Sequence, residues 1–246
     1  MQALKKFAKT RYSHTQGFLE DYHNFQLIES LHVIRVEIKK IKAVLGVIHF
    51  SNKKFDNHKQ FVPLRNIFRK AGAIREPELL LKILMRFEIH GPEPVELSKG
   101  PALIAEFKTD IPFFLEVLNK SSKKVLPAAD QVSKRVFEKF LSRKVKTIRS
   151  MLYPSNSRKE IHTIRKAIKN LLYLSAVNNF LKKRERTFFT YMETAIGNLH
   201  DKQVLLAMLK KKKIKADEFL IKSIKSECAK DLKGINLLAE EFYSKK

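Results

Sequence analysis

The stretch "IHTIRKAIKN", residues 161–170, holds one histidine, one arginine and two lysines and no acid. Its apolar residues Ile161, Ile164 and Ile168 recur at intervals of three and four, the period of a helix with one buried face. A near copy, "LHVIRVEIKK", occupies residues 31–40, so that His32 stands 130 residues before His162. Residues 27–48 carry the same period through Leu27, Leu31, Ile34, Ile38, Ile41, Leu45 and Ile48. Residues 160–181 carry it through Ile161, Ile164, Ile168, Leu171, Leu172 and Leu181. A core-facing helix written twice with the same polar residues beside its apolar face points to a tandem duplication.

Composition extends the helical reading to the rest of the chain. Only seven glycines and eight prolines interrupt 246 residues, which are rich in Leu, Ile, Lys, Glu and Phe at helical spacing. An all-α fold is therefore predicted, with no need for a strand. A second shared feature follows each copy: "FRKAGAIREPELLLKIL" around Gly72 and "METAIGNLHDKQVLLAML" around Gly197. Both read as a helix ending at a left-handed glycine, with a new helix starting near Pro77 and Glu78 or near Asp201. Each repeat is thus expected to hold a helix, a second helix, a glycine corner and a third helix.

These features place repeat 1 at about residues 18–90 and repeat 2 at about 128–243 of one domain spanning 1–246. The connector, about 91–127, begins in "EIHGPEPVELSKGP" (88–101), where Pro92, Pro94 and Pro101 cluster. A helix over roughly 128–152 is expected to open repeat 2 and to end at "YPSNS".

A chain that is 44% hydrophobic with 18 phenylalanines can fill a substantial core without staples. The lone Cys228 excludes an internal disulfide, fits a reducing compartment and reads as a small buried hydrophobe. No apolar run approaches the length of a membrane span, and the start shows no secretory pattern. A cytoplasmic protein without a membrane span is expected, although binding to an acidic membrane surface needs no such segment.

Fifty Lys+Arg stand against 25 Asp+Glu, a net charge of +25. Residues 1–130 hold 22 basic against 14 acidic residues and residues 131–246 hold 28 against 11, so no single tail accounts for the excess. A polyanionic partner follows from that balance. On a helical wheel with His32 at zero, Arg35, Lys39 and Lys42 fall at about 300°, 340° and 280°, a narrow sector beside the apolar face. His162, Arg165 and Lys169 take the same angles as the first three, with Lys166 on the flank and Tyr173 near the histidine's line. Like charges at these spacings cost a helix a few tenths of a kcal/mol per pair, and the helices themselves supply no acid to the stripe. Ammonium and guanidinium groups without carboxylates suit phosphate oxygens, and a row of them suits a chain of phosphates. Arg65 and Arg69, four apart in "LRNIFRK", add cations near the first copy; Lys182, Lys183, Arg184 and Arg186 in "LKKRER" add them near the second. The histidines read as neutral imidazoles bonded to phosphate or backbone, with a switch role as the sharper alternative.

"LHVIRVEIKKIKAVL" and "IHTIRKAIKNLLYL", each followed by a glycine, resemble the two halves of a CHAD domain, the conserved histidine α-helical domain. The likeness runs from about residue 18 to 243. It implies two stacked helical bundles with pseudo-twofold symmetry around a basic central channel. It further implies non-enzymatic binding of inorganic polyphosphate and association with polyphosphate granules. The family's positions carry onto His32, Arg35, Lys39, Lys42, His162, Arg165, Lys166 and Lys169. The family's glycine segment continues with arginine and aspartate three and four residues later; Glu76 replaces that acid in the first copy and His200 replaces that arginine in the second.

A nonspecific nucleic-acid binder is the main rival, since it accounts for the charge equally well. Against it stand the absence of tryptophan, a single stripe aromatic in Tyr173, and no zinc-finger or RNP-like signature. No cofactor is called for. No HExxH or CxxC pattern suggests a metal, and no Gly-rich phosphate loop or paired carboxylates suggest an enzyme. A basic scaffold without a dedicated site is the third alternative, and "KKKIK" (211–215) reads as a solvated helix end.

Overall fold

A computed structural model describes residues 1–87, 89, 100–152, 161–210 and 217–244, and among them every regular element is an α-helix. In chain order these are α1 (Gln2–Phe25), α2 (Ile28–Ser51), α3 (Asn57–Arg86), α4 (Gly100–Asp130), α5 (Lys134–Met151), α6 (Ile161–Ser175), α7 (Lys183–Lys210) and α8 (Glu218–Ser244). The all-α expectation holds. None of the described helices is long and apolar enough to cross a membrane.

The helix starts are set by local capping. Asp56 Oδ1 accepts from the Lys59 N–H at 2.9 Å at the head of α3, which holds the Asp56 carboxyl below its usual range. Ser133 Oγ accepts from the Val136 N–H at 3.2 Å at α5, and Glu185 Oε2 from the Lys182 N–H at 3.0 Å at α7. Gln26 adopts the left-handed conformation (φ 52°) and closes α1 through its N–H to the Tyr22 carbonyl at 3.0 Å.

The chain divides into two compact units. One comprises Met1–Leu80 and Glu93–Phe140, the other Leu81–Pro92 and Leu141–Lys246. In the first unit α1 packs against both α2 and α4. The α1–α4 pairing is antiparallel, because Lys5 Nζ meets Asp130 at 3.0 Å, Tyr12 Oη meets Ser121 Oγ at 2.7 Å and Tyr22 meets Phe107 edge-on at 5.3 Å. Phe107, Ile111, Phe114, Leu118, Val125 and Ala129 form the buried α4 stripe. Burial pushes the Tyr12 hydroxyl well above its ordinary range, with the Ser121 hydrogen bond opposing. Between α1 and α2, the buried Glu37 of α2 receives Arg11 Nη1 at 3.0 Å and Lys40 Nζ at 2.6 Å.

In the second unit α7 packs against α6 and α8. The α7–α8 pair is also antiparallel: Phe188 stacks flat on Phe242 at 3.7 Å, while Lys202 bonds Glu227 and Asp231 at 2.8 and 2.9 Å. Burial pushes the Tyr243 hydroxyl beside them up to about 12.

Several boundaries differ from the sequence reading. The expected glycine corners do not exist: α3 runs without a break through Gly72 and α7 through Gly197, and neither glycine has a positive φ. Pro77, Glu78 and Asp201 consequently lie inside helices and do not open new ones. Leu181 follows α6, which stops at Ser175 before a turn with Asn179 at φ 52°. The stretch read as a connector holds most of the 31-residue α4, and the helix expected over 128–152 is the end of α4 plus α5, separated at residues 131–133. Cys228 is half-buried on α8. Most of the proline-rich 88–101 segment, "YPSNS" and "KKKIK" lie outside the described residues.

Candidate functional site

Both stripes have the same burial rhythm. Leu31, Ile34 and Ile38 are buried with His32 exposed and Arg35 half-buried; Ile161, Ile164 and Ile168 are buried with His162 exposed and Arg165 half-buried. The cause is the helical period: the arginine stands at the border of the apolar face, where its stem packs and its head reaches the neighbouring helix. Each stripe faces the next helix in the chain, and each is described within its own unit.

In the first unit α2 meets α3 antiparallel. Arg35 Nη1 donates to the Phe68 carbonyl at 3.0 Å and its guanidinium lies 4.2 Å from the Phe68 ring centroid. Lys39 Nζ stands 5.5 Å from the same ring, and Lys42 Nζ 4.6 Å from the ring of Phe61, which Arg65 also approaches at 6.0 Å. Two phenylalanines seven apart on α3 therefore gather four of the cations read from the sequence. Arg69 is exposed on α3, one turn on from Arg65. Glu76 reaches Arg35 Nη2 at 3.9 Å from an exposed position, a long contact weakened by solvent. Burial lowers the Arg35 pKa, Glu76 opposes that and Arg75 adds to it.

Gly72 explains why Arg35 can lie where it does. A Cβ at this buried position would sit 1.5 Å from Arg35 Nη1 and 2.7 Å from Cζ, so the guanidinium occupies the space a side chain would take. The second unit repeats the contact. A Cβ at Gly197 would sit 2.9 Å from Arg165 Nη2 and 3.3 Å from Cζ. Both glycines that the sequence marks as corners are seats for the stripe arginines instead.

The helix facing the second stripe carries a different residue at a key position. Four residues before Gly72 stands Phe68; four residues before Gly197 stands Glu193. Glu193 Oε1 accepts from Arg165 Nε at 3.1 Å and forms an ion pair with Lys169 Nζ at the same distance. The stripe helices themselves supply no acid to the stripes, as their sequences show, but their neighbours do. Acids come from the neighbouring helices, closely in the second unit and at long range in the first, because a wheel drawn on one helix omits what packs against it.

His162 lies 4.8 Å, centroid to centroid, from His200, whose rings are tilted by 30°. His200 has its pKa lowered, first by burial, then by Arg165 and Lys166, with Asp201 opposing. His32 is exposed in the first unit and Lys166 in the second. Of the flanking cations, Arg184 lies 5.3 Å from the Phe242 ring and Arg186 donates to Asn179 Oδ1 at 3.3 Å, so both also serve local packing.

Sequence reasoning missed Phe61, Phe68 and Glu193. A signal for the last two was present: each stands four residues before the shared glycine, on the helix face that meets the stripe. Three or more His, Cys, Asp or Glu placed to hold a metal ion do not occur together among the described residues. No model of a known protein family matches the chain, and none of the curated proteins matches it by sequence.

Proposed function

We propose that this protein binds a linear polyanion, inorganic polyphosphate, through the two stripes His32, Arg35, Lys39, Lys42 and His162, Arg165, Lys166, Lys169, without turning it over. Arg65 and Arg69 extend the first stripe. The observation that carries this proposal is the seating of an arginine across a buried helical glycine in both units, with a lysine one turn along. A guanidinium held this way has lost its freedom before any ligand arrives, so less entropy is spent on binding. The repeated His-x-x-Arg and glycine pairing also supports treating the chain as a tandem duplication of CHAD type. On that footing its site of action is the cytoplasm, at polyphosphate granules.

Competition binding tests the proposal. Polyphosphates of graded length should bind with an affinity that rises with length and falls linearly with log salt. Duplex DNA or RNA at matched phosphate and salt should displace them weakly; efficient displacement would make the protein a general polyanion binder. Neutralising Arg35, Lys39, Arg165 and Lys169 together should remove binding, whereas neutralising Lys210, Lys211, Lys212 and Lys213 should not. Steady release of orthophosphate by the pure protein would overturn the non-enzymatic part.

A further inference from the structure

We propose that the two stripes are unequal, and that the residue four positions before each seated glycine decides it: Phe68 makes the first stripe the tight polyphosphate site, and Glu193 makes the second a weak one. This rests on the function proposed above and names the residue that tunes it.

Glu193 Oε1 already occupies the place of a ligand oxygen. It accepts from Arg165 Nε and pairs ionically with Lys169 Nζ, each at 3.1 Å, the contacts a phosphate oxygen would need. The carboxylate is half-buried, with about a fifth of its side-chain surface exposed. A phosphate entering here must displace the Arg165 hydrogen bond and the Lys169 ion pair and leave Glu193 beside a second anion, which raises the cost twice. At the corresponding place in the first unit, Phe68 contacts Arg35 and Lys39 through its ring face and carries no charge that competes for them. Its carbonyl takes one N–H of Arg35, and the remaining donors of the five-donor fork suit an anion. The acid on the first stripe, Glu76, is exposed and stands 3.9 Å from Arg35 Nη2, so the shared Arg and Lys pair faces a neutral aromatic and a remote acid in the first unit against a close carboxylate in the second.

Calorimetric titration of the full chain with inorganic tripolyphosphate, at one fixed salt concentration, tests this. Arg35→Gln with Lys39→Gln should lower overall affinity about tenfold or more, and Arg165→Gln with Lys169→Gln about threefold or less. In the background of the first pair, Glu193→Gln should restore about tenfold in affinity. Phe68→Glu offers a separate route, since it should weaken the first stripe without removing a cation, and circular dichroism checks that each variant folds. Equal losses from the two pairs, or no gain from Glu193→Gln, would overturn the inequality while leaving polyphosphate binding in place. If neither pair affects binding, the stripes are not the site and the function proposed above fails instead.

Discussion

Gly72→Ala should destabilise the first unit, against the usual gain from replacing a glycine inside a helix. The new methyl would sit 1.5 Å from Arg35 Nη1, so the guanidinium must leave its seat. It then gives up its hydrogen bond to the Phe68 carbonyl, about 1.5–2 kcal/mol for a charged donor, and its place over the ring, about 0.5–2 kcal/mol. Alanine returns about 1 kcal/mol of helix propensity. The net loss is about 1–3 kcal/mol, which with a slope near 2 kcal/mol/M moves the urea midpoint of the first unit down by about 0.5–1.5 M. Far-ultraviolet circular dichroism during urea unfolding reads it, provided the slope is unchanged. Gly197→Ala is the internal comparison: its methyl would meet Arg165 Nη2 at 2.9 Å, a contact relieved by a small shift while Nε keeps Glu193, so the change should stay within about 1 kcal/mol of neutral. A double-mutant cycle makes the test sharp. With Arg35→Ala in place the seat is vacant, and Gly72→Ala should stabilise by about 1 kcal/mol. If Gly72→Ala stabilises equally with and without Arg35, the seating has no energetic content and the proposal built on it fails.

Glu37→Ala should cost about 3 kcal/mol or more in the same unfolding assay, because it leaves Arg11 and Lys40 without the buried carboxylate that both approach; a loss under about 1 kcal/mol would mean that solvent replaces it. Tyr12→Phe should cost about 1 kcal/mol by stranding Ser121 Oγ in the α1–α4 core, and a neutral result would show that the hydroxyl is otherwise satisfied. His200 sets a pH dependence: its folded pKa lies below the ordinary 6.5, so the folded protein takes up that proton later than the unfolded chain as pH falls. Its contribution to stability is present above about pH 6.5 and is lost as pH falls through the depressed value, and His200→Gln should flatten that part of the stability–pH curve. Polyphosphate seated on Arg165 and Lys166 should raise the His200 pKa, visible as a shifted ring titration by NMR; an unchanged titration would place the ligand elsewhere.

The helical fold was legible because its signal is carried by single residues at fixed intervals. Ile34, Ile38 and Ile41, and Ile164, Ile168 and Leu171, are buried as their spacing requires. The glycines were legible as special positions but not in their role. A glycine in sequence marks a need for a missing Cβ, and that need arises from left-handed φ or from a close neighbour. Only the position of Arg35, far away in sequence from Gly72, separates the two cases. The same holds for the acids. Glu193 lies 28 residues beyond Arg165 and becomes its partner only when α7 turns back along α6. Helix ends were less legible: Pro63, Pro77, Pro112 and Pro127 all lie inside helices, each removing one backbone donor without ending the element.

A net charge of +25 attracts every polyanion and so selects none. Selection requires cations whose positions are fixed before the ligand arrives, and in this chain fixation costs helix stability: a buried glycine inside α3 and another inside α7, each worth about 1 kcal/mol less than alanine. The basic run at 211–215 makes no such sacrifice in its sequence, since lysines alone suffice for general attraction. The glycines are spent at the one stripe position where an arginine must cross the next helix. Where the neighbouring residue is Phe68 the crossing guanidinium keeps donors for a ligand; where it is Glu193 the protein has supplied an anion of its own. On the proposed function, that one difference leaves the stripe beside Phe68 the tighter of the two and the stripe beside Glu193 the weaker.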